Sequence, residues 1–209
     1  MKVIGVISTK GGTGKTTIAT HLGVEISRLG KTTVILDLDP QATATQWADD
    51  RGEESTITVQ ALPSSRLQKV LEAARASKVD FVIADTAPHS DKIAGDVAET
   101  ADIILVPTTP QPFDLRETPK TIRLIRNTTR KPVYIVFGKV TPNSHEFDTV
   151  AEVINGLSLD CEIYPHPLTY RATYKHAQAR GQTAQEYDPQ SVAAQEIAEL
   201  TKWLIDKIA

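Results

Sequence analysis

A glycine-rich segment near the start of the sequence has the residue types and order that phosphate binding requires. Residues 9–17 read TKGGTGKTT and lie between an apolar run and a helix-length segment. Glycines allow a tight loop whose N–H groups point inward around phosphate oxygens. A lysine and a hydroxyl at the start of the next helix supply an ammonium for the β- and γ-phosphates and a ligand for Mg²⁺. We therefore expect a nucleoside-triphosphate site made by Gly11, Gly12, Thr13, Gly14, Lys15, Thr16 and Thr17.

Acidic residues follow two other apolar runs. Asp37 and Asp39 stand at alternate positions before Pro40, and Asp85 ends the run that begins at Phe81. The carboxyl ends of strands in an open α/β sheet border the ligand crevice, so these acids should lie near the phosphates. We expect Thr16 and Asp85 to hold Mg²⁺, with Asp85 acting through water, and we include Asp37 as a further candidate ligand.

The elements that must position these residues alternate between β-branched runs and helix-length amphipathic segments. That order predicts a single P-loop NTPase domain over residues 1–209, of the α/β class, with a doubly wound, mostly parallel sheet and helices on both faces. The predicted strands are Val3–Ser8, Thr33–Asp37, Thr56–Gln60, Phe81–Asp85, Ile103–Val106, Val133–Phe137 and Cys161–Tyr164. The predicted helices are Lys15–Leu29, Ala42–Asp50, Ser65–Ser77, Ile93–Thr100, Asp114–Thr128, Glu146–Asn155, Tyr170–Arg180 and Ser191–Ile208.

Composition narrows the classes of function. The chain of 209 residues has a net charge of −3 and one cysteine, so it is not a polybasic protein, and it offers no pair of thiols for a disulfide or a metal cluster. The first apolar run is too short for a signal peptide, and no run approaches the ~20 residues of a membrane span. We expect a cytoplasmic protein with no membrane partner. The five histidines lack metal-ligand spacing and are expected at surface or cap positions.

One predicted helix carries a basic face, although the net charge of the chain is negative. The helix predicted over Asp114–Thr128 places its cations three and four residues apart, on a different face from its apolar stripe. Such an asymmetry is a candidate footprint for DNA phosphates, although a solvated helix face has the same pattern. The candidate residues are Arg116, Lys120, Arg123 and Arg126.

The phosphate loop departs from the general motif in one respect. The first glycine of that motif would fall at Thr9, whereas here a second lysine, Lys10, precedes the glycine pair. This arrangement resembles the deviant Walker A motif of the ParA, MinD and nitrogenase-reductase superfamily. The resemblance implies that Lys10 reaches the nucleotide of a partner subunit and that Asp39 supports the attacking water. It thus implies Lys10, Lys15 and Asp39 as the catalytic set.

Further segments resemble short ParA-type partition ATPases. The proline-rich residues 106–115 are similar to a loop that lies near the nucleotide and the dimer interface in that family, and residues 171–186 are similar to its tail motif. Gly138 and Lys139 depart from the family, where an asparagine is common. Because the sequence begins at the P-loop strand, we expect no amino-terminal helix-turn-helix.

This resemblance implies a function. The expected protein binds ATP and Mg²⁺, forms a homodimer when ATP is bound, and then holds DNA without sequence preference. A ParB-like centromere-binding protein would stimulate hydrolysis, and the cycle would position plasmid or chromosomal DNA, which implies a nucleoid-associated location. Because basic residues near the carboxyl terminus often contact DNA in the family, Arg171, Lys175 and Arg180 compete with the helix described above.

Other branches fit less well or remain open. A single cysteine excludes a cluster-bearing electron carrier such as nitrogenase reductase. The last helix has two positive and three negative charges, which argues against a MinD-like membrane anchor. Two alternatives share the motifs: a ligase or kinase for a small metabolite, similar to dethiobiotin synthetase, and an ATPase that positions a cargo other than DNA.

Overall fold

A computed structural model of the chain describes residues 1–51 and 57–208. Within them the β-branched runs form one sheet of seven strands in the order β3-β2-β4-β1-β5-β6-β7, and every pairing is parallel. This confirms the predicted fold class. The strands are β1 (Lys2–Val6), β2 (Thr33–Asp37), β3 (Thr58–Ala61), β4 (Phe81–Asp85), β5 (Ile103–Thr108), β6 (Val133–Phe137) and β7 (Glu162–Ile163).

Helices connect the strands and cover the sheet. They are α1 (Lys15–Arg28), α2 (Thr43–Asp49), α3 (Leu67–Ala76), α4 (Asp91–Thr100), α5 (Pro112–Thr128), α6 (Glu146–Gly156), α7 (Ala172–Gln178), α8 (Ala184–Tyr187) and α9 (Val192–Ile208). None of the helices within the described ranges is long and apolar enough to cross a bilayer.

Two apolar cores sandwich the sheet, as a parallel sheet with helices on both faces requires. One core contains Leu71, Val97 and Ile122, from α3, α4 and α5. The other contains Ile18 and Ile197, from α1 and α9, together with Trp47 of α2. Helices α5 and α1 therefore lie on opposite faces of the sheet.

The sequence located most elements correctly but placed some of their ends wrongly. The helix predicted over Tyr170–Arg180 is shorter in the structure, where α7 spans Ala172–Gln178, and the four-residue α8 was not predicted. Between these helices Gly181 has φ +63°, and a Cβ there would lie 2.6 Å from the carbonyl carbon of Asp50. The chain must therefore turn at a glycine, which splits the predicted element. The first residue of the predicted strand Thr56–Gln60 lies outside the described residues.

The order of the strands indicates the edge of the sheet at which a ligand should bind. The chain passes from β1 to β2 on one side, then crosses from β4 to β5 on the other, so the direction of winding reverses at β1. Ligands of open α/β sheets bind at such a reversal, beyond the carboxyl ends of the strands. The segment between β1 and α1 is the glycine-rich loop.

Candidate functional site

The glycine-rich loop is shaped by two backbone positions that disfavour side chains. Gly12 and Gly14 have φ +78° and +96°, in the left-handed region, and no heavy atom lies within 4 Å of a Cβ built on either. Glycine adopts these angles without steric cost. Helix α1 begins directly after the loop at Lys15, so its unbonded N–H groups and positive dipole end face the loop.

The Lys15 ammonium lies inside this loop. Its Nζ donates to the carbonyl oxygen of Lys10 at 3.0 Å, and only 7% of the residue is exposed. Burial lowers the pKa of Lys15, while the nearby carboxylates of Asp85 and Asp39 oppose that shift. The structure thus brings the lysine together with two of the predicted acids.

Asp85 provides the strongest sign of a metal site. Thr16 Oγ1 donates to its Oδ2 at 2.7 Å, whereas its Oδ1 is buried and has no hydrogen-bond partner within the described chain. Burial raises the pKa of Asp85 to about 7. A hydroxyl and a carboxylate are oxygen ligands of the kind Mg²⁺ prefers, and a cation there would compensate the orphaned oxygen. These residues therefore fit a magnesium ion.

Asp37 is also buried, but its hydrogen bonds are satisfied. Its Oδ1 accepts from the Asp39 N–H at 3.1 Å, and its Oδ2 accepts from Thr45 N at 3.0 Å and Thr45 Oγ1 at 3.1 Å. These contacts tie β2 to the first turn of α2. Asp39 itself is half-buried, and its Oδ1 accepts from the Gln41 N–H at 2.9 Å.

Two further lysines lie at the loop. Lys10 is half-buried, and within the described residues no hydrogen bond or ion pair engages its ammonium. Lys139 follows β6 and donates to the carbonyl oxygen of Gly12 at 2.6 Å. The sequence did not connect Lys139 with the loop, because 127 residues separate the two and no local pattern joins them.

A cavity of about 430 Å³ opens beside the loop. Thr13, Gly14 and Thr17 line it, together with Tyr170 and Arg171. The segment that follows β7 therefore contributes to the wall of this cavity, as the start of α1 does.

The basic face of α5 is partly engaged by its own surroundings. Arg126 donates to the backbone oxygens of Asp160 and Lys131 at 2.6 and 2.7 Å and pairs with the Asp160 carboxylate at 2.9 Å, which leaves 13% of its side chain exposed. Lys120 pairs with Glu117 at 2.6 Å. Arg116 lies over the exposed Phe113 ring, and Arg123 is exposed. Arg126 closes the end of α5 rather than facing solvent.

The basic residues of the tail lie on the other face of the sheet. Tyr174 of α7 packs against the core that contains α1. Arg171 donates to Thr169 Oγ1 at 2.6 Å, Lys175 is exposed, and the Arg180 guanidinium lies 5.0 Å from the centre of the Tyr187 ring. The two candidate DNA-binding sets therefore do not form one patch within a single chain.

One histidine was placed wrongly by the sequence analysis. His21 is 2% exposed, and burial lowers its pKa to about 4. Its Nδ1 lies 2.7 Å from the Thr17 oxygen, while its Nε2 accepts from the Ala184 N–H at 3.0 Å. A neutral ring that donates from Nδ1 satisfies both contacts, so His21 joins α1 to the tail. The other four histidines are exposed, as predicted.

Comparison with known proteins identifies the family. Residues 4–184 match the model described as the CobQ/CobB/MinD/ParA nucleotide binding domain. The chain is 31% identical over 185 residues to "Protein ParA" of Rhizobium radiobacter, covering 83% of this chain and 81% of the relative. It is 30% identical over 185 residues to the maintenance of carboxysome distribution protein A of Halothiobacillus neapolitanus, covering 85% and 84%.

Solved structures agree in fold. The MinC:MinD cell division complex of Aquifex aeolicus superposes with a TM-score of 0.83 at 16% identity over 99% of this chain and 96% of that one. The septum site-determining protein MinD of Pyrococcus horikoshii, complexed with Mg-ADP, superposes with a TM-score of 0.74 at 16% identity over 97% and 95%. With the loop, Lys15, Thr16 and Asp85 in place, the chain belongs to the CobQ/CobB/MinD/ParA family as a ParA-type P-loop ATPase that uses ATP and Mg²⁺.

Proposed function

We propose that this ATPase is a dimerisation switch that positions DNA: it closes into a homodimer with ATP, binds DNA without sequence preference, and reopens after hydrolysis. A centromere-bound protein of the ParB type would stimulate the hydrolysis. The relative called ParA and the relative that maintains carboxysome distribution are similar to this chain at almost the same level, and both support a positioning role.

The observation that carries the proposal is the position of Lys10. Lys10 belongs to the loop and is half-buried, its ammonium has no partner among the described residues, and its carbonyl accepts a hydrogen bond from Lys15. No contact within the described chain therefore accounts for this charge. The phosphates of a nucleotide in a second subunit would provide an anionic partner, and the gain would be realised only in the ATP-bound dimer.

The residues of one chain support the hydrolytic part. Lys15 and the N–H groups of the loop bind the phosphates, and Thr16 and Asp85 hold Mg²⁺, which neutralises charge on the transferred phosphoryl group when it is bound. Asp39 accepts a hydrogen bond from the attacking water and orients it. The cavity beside the loop, which Tyr170 and Arg171 border, would take the nucleoside.

Both candidate sets keep cations that are available to DNA. Lys175 and Arg180 of the tail are exposed and form no ion pair within the described residues, whereas Arg171 lies 4.0 Å from the Glu196 carboxylate. On α5, Lys120 and Arg126 are paired, and Arg123 is exposed without an ion pair in the described part of the chain. In a dimer, cations from two chains would add, which explains how a chain of net charge −3 could bind a polyanion.

Sedimentation velocity tests the proposal. Wild-type protein and the Lys10→Ala variant would be run with ADP or with a non-hydrolysable ATP analogue, with and without a nonspecific DNA duplex, at two salt concentrations. We expect a dimer with the ATP analogue only, and DNA binding by that dimer that weakens steeply with salt. Lys10→Ala should bind nucleotide and remain monomeric.

The other outcomes discriminate among functions. An ATP-dependent dimer that ignores DNA at low salt would contradict the DNA-binding switch and favour the positioning of a cargo other than DNA. An oligomeric state that is indifferent to nucleotide, with no DNA binding, would contradict the switch itself and favour an enzyme that acts on a small metabolite.

A further inference from the structure

Several backbone hydrogen bonds hold the turn that carries Asp39. After β2 the chain still pairs with β4, because the Leu38 N–H donates to the Asp85 oxygen at 2.9 Å. The Asp39 oxygen accepts from the Ala42 N–H at 2.8 Å, and its side chain accepts from the Gln41 N–H. Its own N–H donates to Asp37 at 3.1 Å.

The anchor of this turn is the contact between Asp37 and Thr45. Helix α2 has Ala42 at its N-cap position, with φ +52°, and alanine has no side chain that could accept a hydrogen bond from the first turn. Asp37 takes over that task from the neighbouring strand, because its Oδ2 accepts both the N–H and the hydroxyl of Thr45. The same carboxylate holds the Asp39 N–H through its other oxygen.

We propose that Thr45 is a positioning residue for ATP hydrolysis: its hydroxyl fixes the Asp37 carboxylate, which in turn fixes the backbone from which Asp39 projects. The inference rests on the proposed role of Asp39 in orienting water. Removing the hydroxyl leaves Oδ2 with one hydrogen bond instead of two, inside a site where only 1% of Asp37 is exposed. The carboxylate is then held only by the N–H groups of Thr45 and Asp39, and the position of Asp39 relative to the phosphate loop becomes less tightly fixed.

The expected effect falls on the chemical step rather than on nucleotide binding. Thr45 makes no hydrogen bond to the phosphate loop, and it does not line the cavity beside that loop. Misplacing a water-orienting group by a fraction of an ångström weakens its action in the transition state, and we expect kcat to fall by about tenfold. KM and the Kd for a non-hydrolysable ATP analogue should stay within about twofold of the wild-type values. The substitution leaves the contacts that bind the nucleotide unchanged in the ground state.

The test uses four variants of the full chain. Thr45→Val removes the hydroxyl at nearly constant volume, and Thr45→Ser restores it. Thr100→Val is the control for the loss of a helical threonine hydroxyl as such. Within the described residues, the Thr100 hydroxyl bonds only to the backbone oxygens of Asp96 and Val97 in its own helix, on the opposite face of the sheet. Asp39→Ala tests the role on which the inference rests. Steady-state ATPase kinetics, analogue affinity and the thermal midpoint are measured for each variant.

We expect Thr45→Val to lose about tenfold in kcat at temperatures where it is fully folded, Thr45→Ser to recover most of the rate, and Thr100→Val to resemble wild type. A wild-type kcat in Thr45→Val overturns the inference, and so does a loss that Thr45→Ser shares or that follows nucleotide affinity. If Asp39→Ala abolishes turnover while Thr45→Val does not, only the role of Thr45 fails. If Asp39→Ala leaves turnover intact, the proposed role of Asp39 fails, and the role of Thr45 that rests on it fails too.

Discussion

Two carboxylates occupy equivalent places in this sheet and are prepared for different tasks. Asp37 and Asp85 are the last residues of neighbouring strands, are paired in register, and are each 1% exposed. Asp37 accepts three hydrogen bonds from its own chain, whereas Asp85 accepts one from Thr16 and keeps a buried oxygen without a partner in the described residues. Both carboxylates are candidate metal ligands because they lie at the carboxyl ends of strands. Only Asp85 keeps an oxygen that no hydrogen bond occupies in the described chain, so Asp85 is the one available to a metal ion.

Asp85→Asn should have the largest effect of any change at these two positions. The amide keeps the shape but loses the charge that a cation would neutralise, and metal ions contribute several kcal/mol of transition-state stabilisation. We expect ATP turnover at saturating Mg²⁺ to fall by roughly 10²- to 10³-fold. A steady-state ATPase assay over a range of Mg²⁺ concentrations measures this. Near-normal turnover would remove Asp85 from the metal site.

Asp37→Asn should act on stability, and on kcat through the position of Asp39, but not on the metal site. One oxygen of Asp37 is replaced by an NH₂ group, which cannot accept either the Asp39 N–H or the two donors of Thr45, so at least one buried donor loses its partner. We expect the free energy of unfolding to fall by about 1–3 kcal/mol, as measured by urea denaturation. The Mg²⁺ concentration for half-maximal turnover should stay close to wild type. A large increase in that concentration would show that Asp37 is a ligand and would erase the contrast with Asp85.

The pH dependence of metal-free stability sharpens the comparison. Burial raises the pKa of Asp85 to about 7, so the native state holds a proton that the unfolded state, with a pKa of 3.8, has already released. Stability should therefore fall as pH rises through 7, by about 1 kcal/mol between pH 6.5 and 8. Below pH 6.5 the buried His21, with its pKa lowered to about 4, acts in the opposite direction, which sets the lower limit of the window.

Denaturation of the metal-free protein in EDTA at several pH values checks this expectation. The slope should be absent in Asp85→Asn, which has no proton to release at that site. An equal slope in wild type and variant would assign the titration to another group.

Ala42→Gly should have the smallest effect. Ala42 has φ +52°, which an alanine adopts at a cost and a glycine adopts freely. The gain in the native state exceeds the added flexibility of the unfolded chain, and we expect roughly 0.5 kcal/mol of stabilisation in thermal unfolding. If the variant is instead less stable, the restricted backbone of alanine contributes to the turn between β2 and α2. The hydrogen bonds of Asp37 would then not be sufficient to hold that turn.

The sequence predicted the parts of the site that local order encodes. The loop, Lys15, Thr16 and Asp85 follow from glycine spacing and from the alternation of strands and helices, and the structure brings them together. The tasks of Asp37 and Lys139 could not be predicted, because they depend on Thr45 and on Gly12, contacts that exist only after the chain has folded. Similarly, His21 sits in an amphipathic helix like many surface histidines, and only the return of the tail buries it.

The hydrogen bond from Lys139 to the Gly12 carbonyl has a consequence for binding entropy. A loop that orders itself around an anion loses conformational freedom at the moment of association, and that loss weakens affinity. Here one peptide group of the loop is already fixed from outside, by a residue that follows β6, before any phosphate arrives. In a trans peptide the N–H points opposite to the C=O, so holding the Gly12 oxygen also sets the direction of the Thr13 N–H. Part of the ordering that a nucleotide would otherwise impose is thus completed when the sheet folds.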